Sequence, residues 1–143
     1  MIVPDVNVLV LAHRSDSTDH KPVRAWLEDE VNSDRPVALA DIAVSGFIRV
    51  TTNPRVFRDP TPLESAIGFI EGLLGRETCL SITAGPRHWE IFCRVLRGAD
   101  ARANLVPDAH LAAISIEHGC TVATRDRGFA RFDAVRWVDP LAA

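Results

Sequence analysis

Residues 104–126 read NLVPDAHLAAISIEHGCTVATRD, and the order of their parts decides the fold. Pro107 to His118 predicts a helix. A proline suits a first helical turn, and Gly119 stands just past the far end, where the chain has to leave the helix. Cys120 to Ala123 then predicts a short apolar strand. A helix that feeds the amino end of a parallel strand begins at the opposite edge, where the strands finish. Asp108 lies in the first turn of that helix, and Asp126 follows the strand. Local structure therefore assigns both to the carboxyl edge of a sheet, where open α/β sheets bind ligands.

The same alternation extends outward. Ile2-Val3 predicts a strand, with Asp5 at its carboxyl end. Pro22 to about Val31 predicts a helix with Val23, Trp26, Leu27 and Val31 on one face. Val37-Ala38-Leu39 predicts a strand, and Asp41 can cap a helix running through Val44, Phe47, Ile48 and Thr51 until Asn53-Pro54 ends it. Pro62 opens a helix that Gly75 can close. Cys79 to Ile82 predicts a strand, and Pro86 to Arg97 a helix with Trp89, Phe92, Val95 and Leu96 in the core. Val135 to Val138 closes the sheet. Strict β/α alternation predicts a three-layer α/β/α domain over residues 1–143, with a parallel sheet of about five strands. Asp5, Asp108 and Asp126 converge fully if the first and fourth strands are neighbours.

Bulk properties bound the function. No apolar run reaches the ~20 residues that span a bilayer. The amino terminus has no basic segment, and Asp5 and Asn7 interrupt its apolar run, which predicts a cytoplasmic protein. Cys79, Cys93 and Cys120 have no Cys-x-x-Cys spacing and read as buried thiols in a reducing compartment. A net charge of -3 gives no global attraction to nucleic acid, so any RNA binding needs a local patch.

Three carboxylates gathered on one edge repel one another, which raises their pKa values and costs stability. Mg²⁺ or Mn²⁺ removes that penalty, because both are hard cations that prefer oxygen ligands. A metal held in this way can polarise a phosphate and activate water. Each aspartate also has a plainer reading: Asp5 as a turn or cap residue, Asp108 as a charge favoured by the helix dipole, Asp126 as a solvated loop charge.

The quoted segments resemble the PIN domain, and specifically the VapC toxins of type II toxin–antitoxin pairs. Pro4-Asp5-Val6-Asn7-Val8-Leu9 is similar to the first motif of that family. Arg49 to Phe57 is similar to its second helix and loop, Asn104 to Gly119 to its third motif, and Thr124 to Phe132 to its fourth. The resemblance implies a PIN-like fold and a Mg²⁺-dependent endoribonuclease in which Asp5, Asp108 and Asp126 ligate or orient the metal. It places Asn7 and Thr124 as polar neighbours in the site; alone, Asn7 reads equally as a helix cap and Thr124 as a strand-end hydroxyl. It also implies a homodimer and a VapB-like antitoxin whose carboxyl-terminal segment crosses the acidic groove. Arg14, Arg55, Arg58, Arg125 and Arg127 are candidates to hold RNA phosphates, each with an alternative as a surface charge or an acid-pairing residue.

The chain departs from the family pattern at Gly46, where many members carry glutamate, three residues before the arginine matched by Arg49. Fewer oxygen ligands should weaken metal binding, unless Asp41 contributes from the head of the same helix. A non-cutting module that binds RNA or a partner is therefore the competing reading. A phosphoaspartate enzyme is disfavoured, because it needs a lysine near the phosphoryl group and the only lysine is Lys21. The histidines show no metal-ligand spacing with cysteine.

Overall fold

The computed structural model describes residues 1–142. Strands β1 (Ile2–Pro4), β2 (Val37–Ala40), β3 (Cys79–Ile82), β4 (Thr121–Ala123) and β5 (Arg136–Val138) form one parallel sheet in the order β3-β2-β1-β4-β5. The helices between them are α1 (Val6–His13), α2 (His20–Val31), α3 (Asp41–Thr51), α4 (Leu63–Leu74), α5 (His88–Ala99) and α6 (Leu105–Glu117). The chain winds outward through β2 to β3, then crosses back over β1 to β4 and β5. Right-handed crossovers place α1 to α4 on one face and α5 and α6 on the other, giving three layers.

The winding reverses between β1 and β4. Their register, Ile2 to Thr121, Val3 to Val122 and Pro4 to Ala123, brings the two carboxyl ends level. The neighbour relation on which convergence of the aspartates depended is therefore present. A switch point of this kind opens a crevice beyond the strand ends. β1 and β2 are buried along their whole length, as strands covered on both faces must be. Leu9, Val23, Phe47, Ile114 and Phe129 pack around them.

Several elements differ from their sequence expectation. Helix α1 follows β1 after a single residue, although its sequence VNVLVLAH, rich in β-branched residues, reads as an apolar run with no polar face. Asp5 makes the difference: its backbone is extended, and its carboxylate accepts from Val6 N at 2.7 Å, capping the helix. Val8, Leu9 and Ala12 then go to the core. Helix α6 begins at Leu105, two residues before Pro107, so the proline still falls in the first turn, where no N–H partner is lost. Gly119 adopts a left-handed conformation with φ +68, as an abrupt helix exit requires.

Trp89 corrects the expected core. Ile91 and Val95 carry the buried face of α5, whereas Trp89 is 72% exposed.

Candidate functional site

Asp5 sits where β1 becomes α1, with only 5% of its surface exposed. Its backbone N–H donates to Ala123 O at 2.8 Å, continuing the β1–β4 pairing by one step. Its two carboxylate oxygens have different partners. Oδ1 accepts from Val6 N. Oδ2 accepts from Thr124 Oγ1 at 2.8 Å and from Asn7 Nδ2 at 3.0 Å.

Thr124 is fully buried just past β4 and links the first and fourth motifs. Besides donating to Asp5, its hydroxyl oxygen accepts from Asn7 Nδ2 and from Asp126 N, both at 3.0 Å. Asn7 Oδ1 in turn accepts from Arg125 N at 2.9 Å. Asn7 is therefore a cross-strand brace and not a helix cap, because Asp5 already fills that role. Asp126 is exposed and caps the 3-10 turn Arg127–Arg131, accepting from Gly128 N at 2.8 Å.

Asp108 projects from the first turn of α6, half-buried, and its carboxylate has no hydrogen-bond partner among the described residues. Burial, then the charges of Asp5 and Asp126, push its pKa up to about 6. Burial also pushes Asp5 upward, against the bonds from Thr124 and Val6 that favour its charged form, and Asp126 adds repulsion. The three aspartates thus share one electrostatic neighbourhood. Among the described residues, no three carboxylate, imidazole or thiol side chains are gathered tightly enough to make a formed metal centre. The donor set, all oxygen and destabilised by like charge, fits a hard divalent cation.

The fourth position is closed. Gly46 is buried in α3, and a β-carbon there would stand 2.7 Å from Val6 Cγ2. Asp41 does not take its place. It is exposed at the head of α3, bonds its own neighbour Ile42 N, and its charge acts on His110; it is absent from the charges acting on Asp5 and Asp108.

The candidate arginines separate into two groups. Arg55, Arg58 and Arg127 are exposed. Arg14 is only 9% exposed: it grips both oxygens of Asp16, donates to Asp59 O at 2.7 Å and to Thr61, and lies 4.1 Å over the Phe57 ring. Its donors are spent on folding the segment after α3, so it is withdrawn from the phosphate-binding set. Arg125 pairs with Asp139 at 2.8 Å and Asp19 at 3.3 Å. These partners lie up to 106 residues away in sequence, and no local pattern announces them.

Residues 2–135 match the PIN domain family model. The chain belongs to the PIN domain family. It groups there with the VapC ribonucleases: it is 44% identical over 141 residues to VapC ribonuclease Mb2897 of Mycobacterium bovis, covering 99% of this chain and 96% of that one. Ribonuclease VapC25 of Mycobacterium tuberculosis is 40% identical over 140 residues, covering 98% and 99%. Among solved structures, the PIN fold found here resembles VapBC2 of Rickettsia felis bound to a promoter DNA fragment, with a TM-score of 0.72 at 15% identity over 96% of this chain and 98% of that one. It also resembles VapC20 of Mycobacterium tuberculosis, a sarcin-ricin loop cleaving toxin, with a TM-score of 0.69 at 11% identity over 91% and 93%. At these identities the structures show a shared fold. No described helix is long and apolar enough to cross a membrane.

Proposed function

We propose that this PIN domain is a Mg²⁺- or Mn²⁺-dependent endoribonuclease and the toxin of a type II toxin–antitoxin pair. The observation that carries the reading is the arrangement at the switch point: the carboxyl ends of β1 and β4 stand level, Asp5 is buried there and held by Thr124 and Asn7, and Asp108 is half-buried without a hydrogen-bond partner in the first turn of α6. A bound divalent cation would supply Lewis-acid polarisation of the phosphate and a more acidic water. Asp5, Asp108 and Asp126 would hold it. Thr124 and Asn7 fix the Asp5 carboxylate so that its orientation does not change when charge is added or removed nearby. Asp108 has no hydrogen bonds to break, so it is the carboxylate free to reorient. Arg55, Arg58 and Arg127 supply sequence-independent phosphate contacts.

The VapC names of its relatives, and the VapBC complex among its structural neighbours, support a VapB-like antitoxin as partner. An acidic groove suits an arginine-bearing segment of such a protein. We place the protein in the cytoplasm, as a homodimer acting on RNA.

The second reading, a PIN module that binds RNA or a partner without cutting, is favoured by the closed fourth position at Gly46. The two are separated by incubating the purified, antitoxin-free chain with structured RNA in Mg²⁺ or Mn²⁺, beside Asp5→Asn and Asp108→Asn. Cleavage abolished by EDTA and by both substitutions is expected. Folded protein that binds RNA and never cuts it, across metals and RNA pools, would establish the binding module instead.

A further inference from the structure

Trp89 is the most exposed large hydrophobic side chain among the described residues, and it is not loosely attached. Its indole meets Phe92 edge-on, with ring centres 6.4 Å apart. Phe92 is stacked against His88 at 5.2 Å and packs on His110 at 5.3 Å, while His88 and His110 lie 4.6 Å apart. Nδ1 of His88 is buried with no hydrogen-bond partner, so this imidazole serves as a packing surface and not as a polar contact. The four rings form one packed group that joins α5 to α6 and presents the Trp89 indole to solvent.

Two features decide what such a face suits. The first is charge. Arg87, at the N-cap of α5, and Arg94, on α5, each have a side chain 66% exposed and share the single carboxylate of Glu90 at 3.5 and 2.9 Å, which leaves this stretch with an excess of positive charge. Arg97 adds a further cation on the same helix. The second is isolation. The other exposed large hydrophobics, Val56, Leu63, Leu74 and Leu80, lie outside α5, so Trp89 is the one large exposed apolar side chain of this helix. A protein interface core is depleted of charge around its aromatic anchors. An exposed aromatic face on an arginine-rich helix matches a single-stranded nucleic acid, whose bases stack while its phosphates meet the cations.

The platform also lies near the aspartate edge. His110 follows Asp108 by two residues, about 200° around α6, and the charge of Asp41 at the end of β2 reaches it. Asp108 thus faces the switch point while His110 carries the ring group on the other flank of the same helix turn.

We propose that Trp89, supported by His88, Phe92 and His110, is a base-stacking subsite for single-stranded RNA flanking the scissile phosphate. This rests on the nuclease reading, which supplies the RNA.

The test measures affinity of the full chain for a short single-stranded oligoribonucleotide of mixed sequence in EDTA, with cleavage in Mg²⁺ measured in parallel. Trp89→Ala should weaken binding by about 5- to 140-fold, the range for loss of one base–aromatic stack. Trp89→Phe should keep most of the affinity. An abasic version of the probe should bind wild type and Trp89→Ala alike. Equal affinity of wild type and Trp89→Ala for the intact probe overturns the proposal, as does a gap that persists on the abasic probe. A change in oligomeric mass with no change in affinity overturns it in favour of a protein interface. Wild type that cleaves but does not bind the probe in EDTA overturns the platform alone; wild type that does neither overturns the nuclease reading with it. Trp89 is solvent-exposed, so loss of folding is not expected in either variant.

Discussion

Gly46 and Val6 meet through the hydrogen of the glycine: a β-carbon there would stand 2.7 Å from Val6 Cγ2. Valine is stiff at χ1 and cannot swing aside cheaply. The glycine at position 46 and the bulk at position 6 are therefore one packing solution, in which α1 and α3 approach more closely than a side chain at position 46 would allow.

Gly46→Ala should accordingly destabilise the protein. Overpacking costs about 1–3 kcal/mol, set against a gain of about 1 kcal/mol in helix propensity. In a Val6→Ala background the obstruction is gone, and the same substitution should become neutral or stabilising. Urea denaturation of the double-mutant cycle checks this; additive effects would refute the coupling. In that background Gly46→Glu adds a fourth carboxylate, and Mn²⁺ affinity measured by calorimetry should rise above wild type.

Asp108 predicts a pH dependence. Its folded pKa of about 6 lies above the ordinary 3.8, so between these values the folded state binds more protons than the unfolded state. Stability therefore falls as pH rises from about 4 to about 6 and stays lower above that. Asp108→Asn removes the penalty. It should be more stable than wild type at pH 7–8 by about 1–2 kcal/mol, a two-unit shift discounted for partial solvent exposure. The two should converge near pH 4. Thermal melts across this range decide it, and added Mg²⁺ should raise the melting temperature of wild type more than that of Asp108→Asn. A constant difference at all pH values would remove Asp108 from the coupled set.

The layered fold and the edge that carries the aspartates were legible because they follow from local rules: a proline inside a helix start, a glycine past its end, an apolar run, then an aspartate. Three things were not legible. Helix α1 was announced only by the readings of Asp5 and Asn7 as caps, because its apolar residues have no polar face; Asp5 fills that role. Trp89 was assigned to the core because apolar character does not reveal which face of α5 meets the sheet; Ile91 and Val95 do. The fates of Arg14 and Arg125 depend on partners such as Asp59 and Asp19. Sequence spacing carries no information about contacts of that kind.

Thr124 is predicted to act through Asp5. Thr124→Val keeps the shape and removes the donor to Oδ2, leaving a buried carboxylate with one fewer bond. The cost should be about 1–3 kcal/mol. Because that bond favours the ionised form of Asp5, the acidic limb of the cleavage pH profile should move to higher pH, and Thr124→Ser should restore it. A profile unchanged in Thr124→Val, with only stability reduced, would make Thr124 a packing residue.

Arg14 and Arg127 should respond oppositely to the same substitution. Arg14→Gln loses the two-pronged grip on Asp16, the bond to Asp59 O and the stacking on Phe57. The Asp16 side chain is 59% exposed, so its share is small. The unpaired carbonyl and the lost ring contact bring the total to about 2 kcal/mol. Because those donors never face solvent, the salt dependence of RNA binding should not change. Arg127 is exposed and forms no salt bridge among the described residues. Arg127→Gln should leave stability within about 0.5 kcal/mol and lower the slope of log affinity against log salt by about 1, the signature of one lost phosphate contact. Chemical denaturation and a salt titration of RNA binding on both variants are sufficient. A reduced slope in Arg14→Gln with unchanged stability would return Arg14 to the RNA surface.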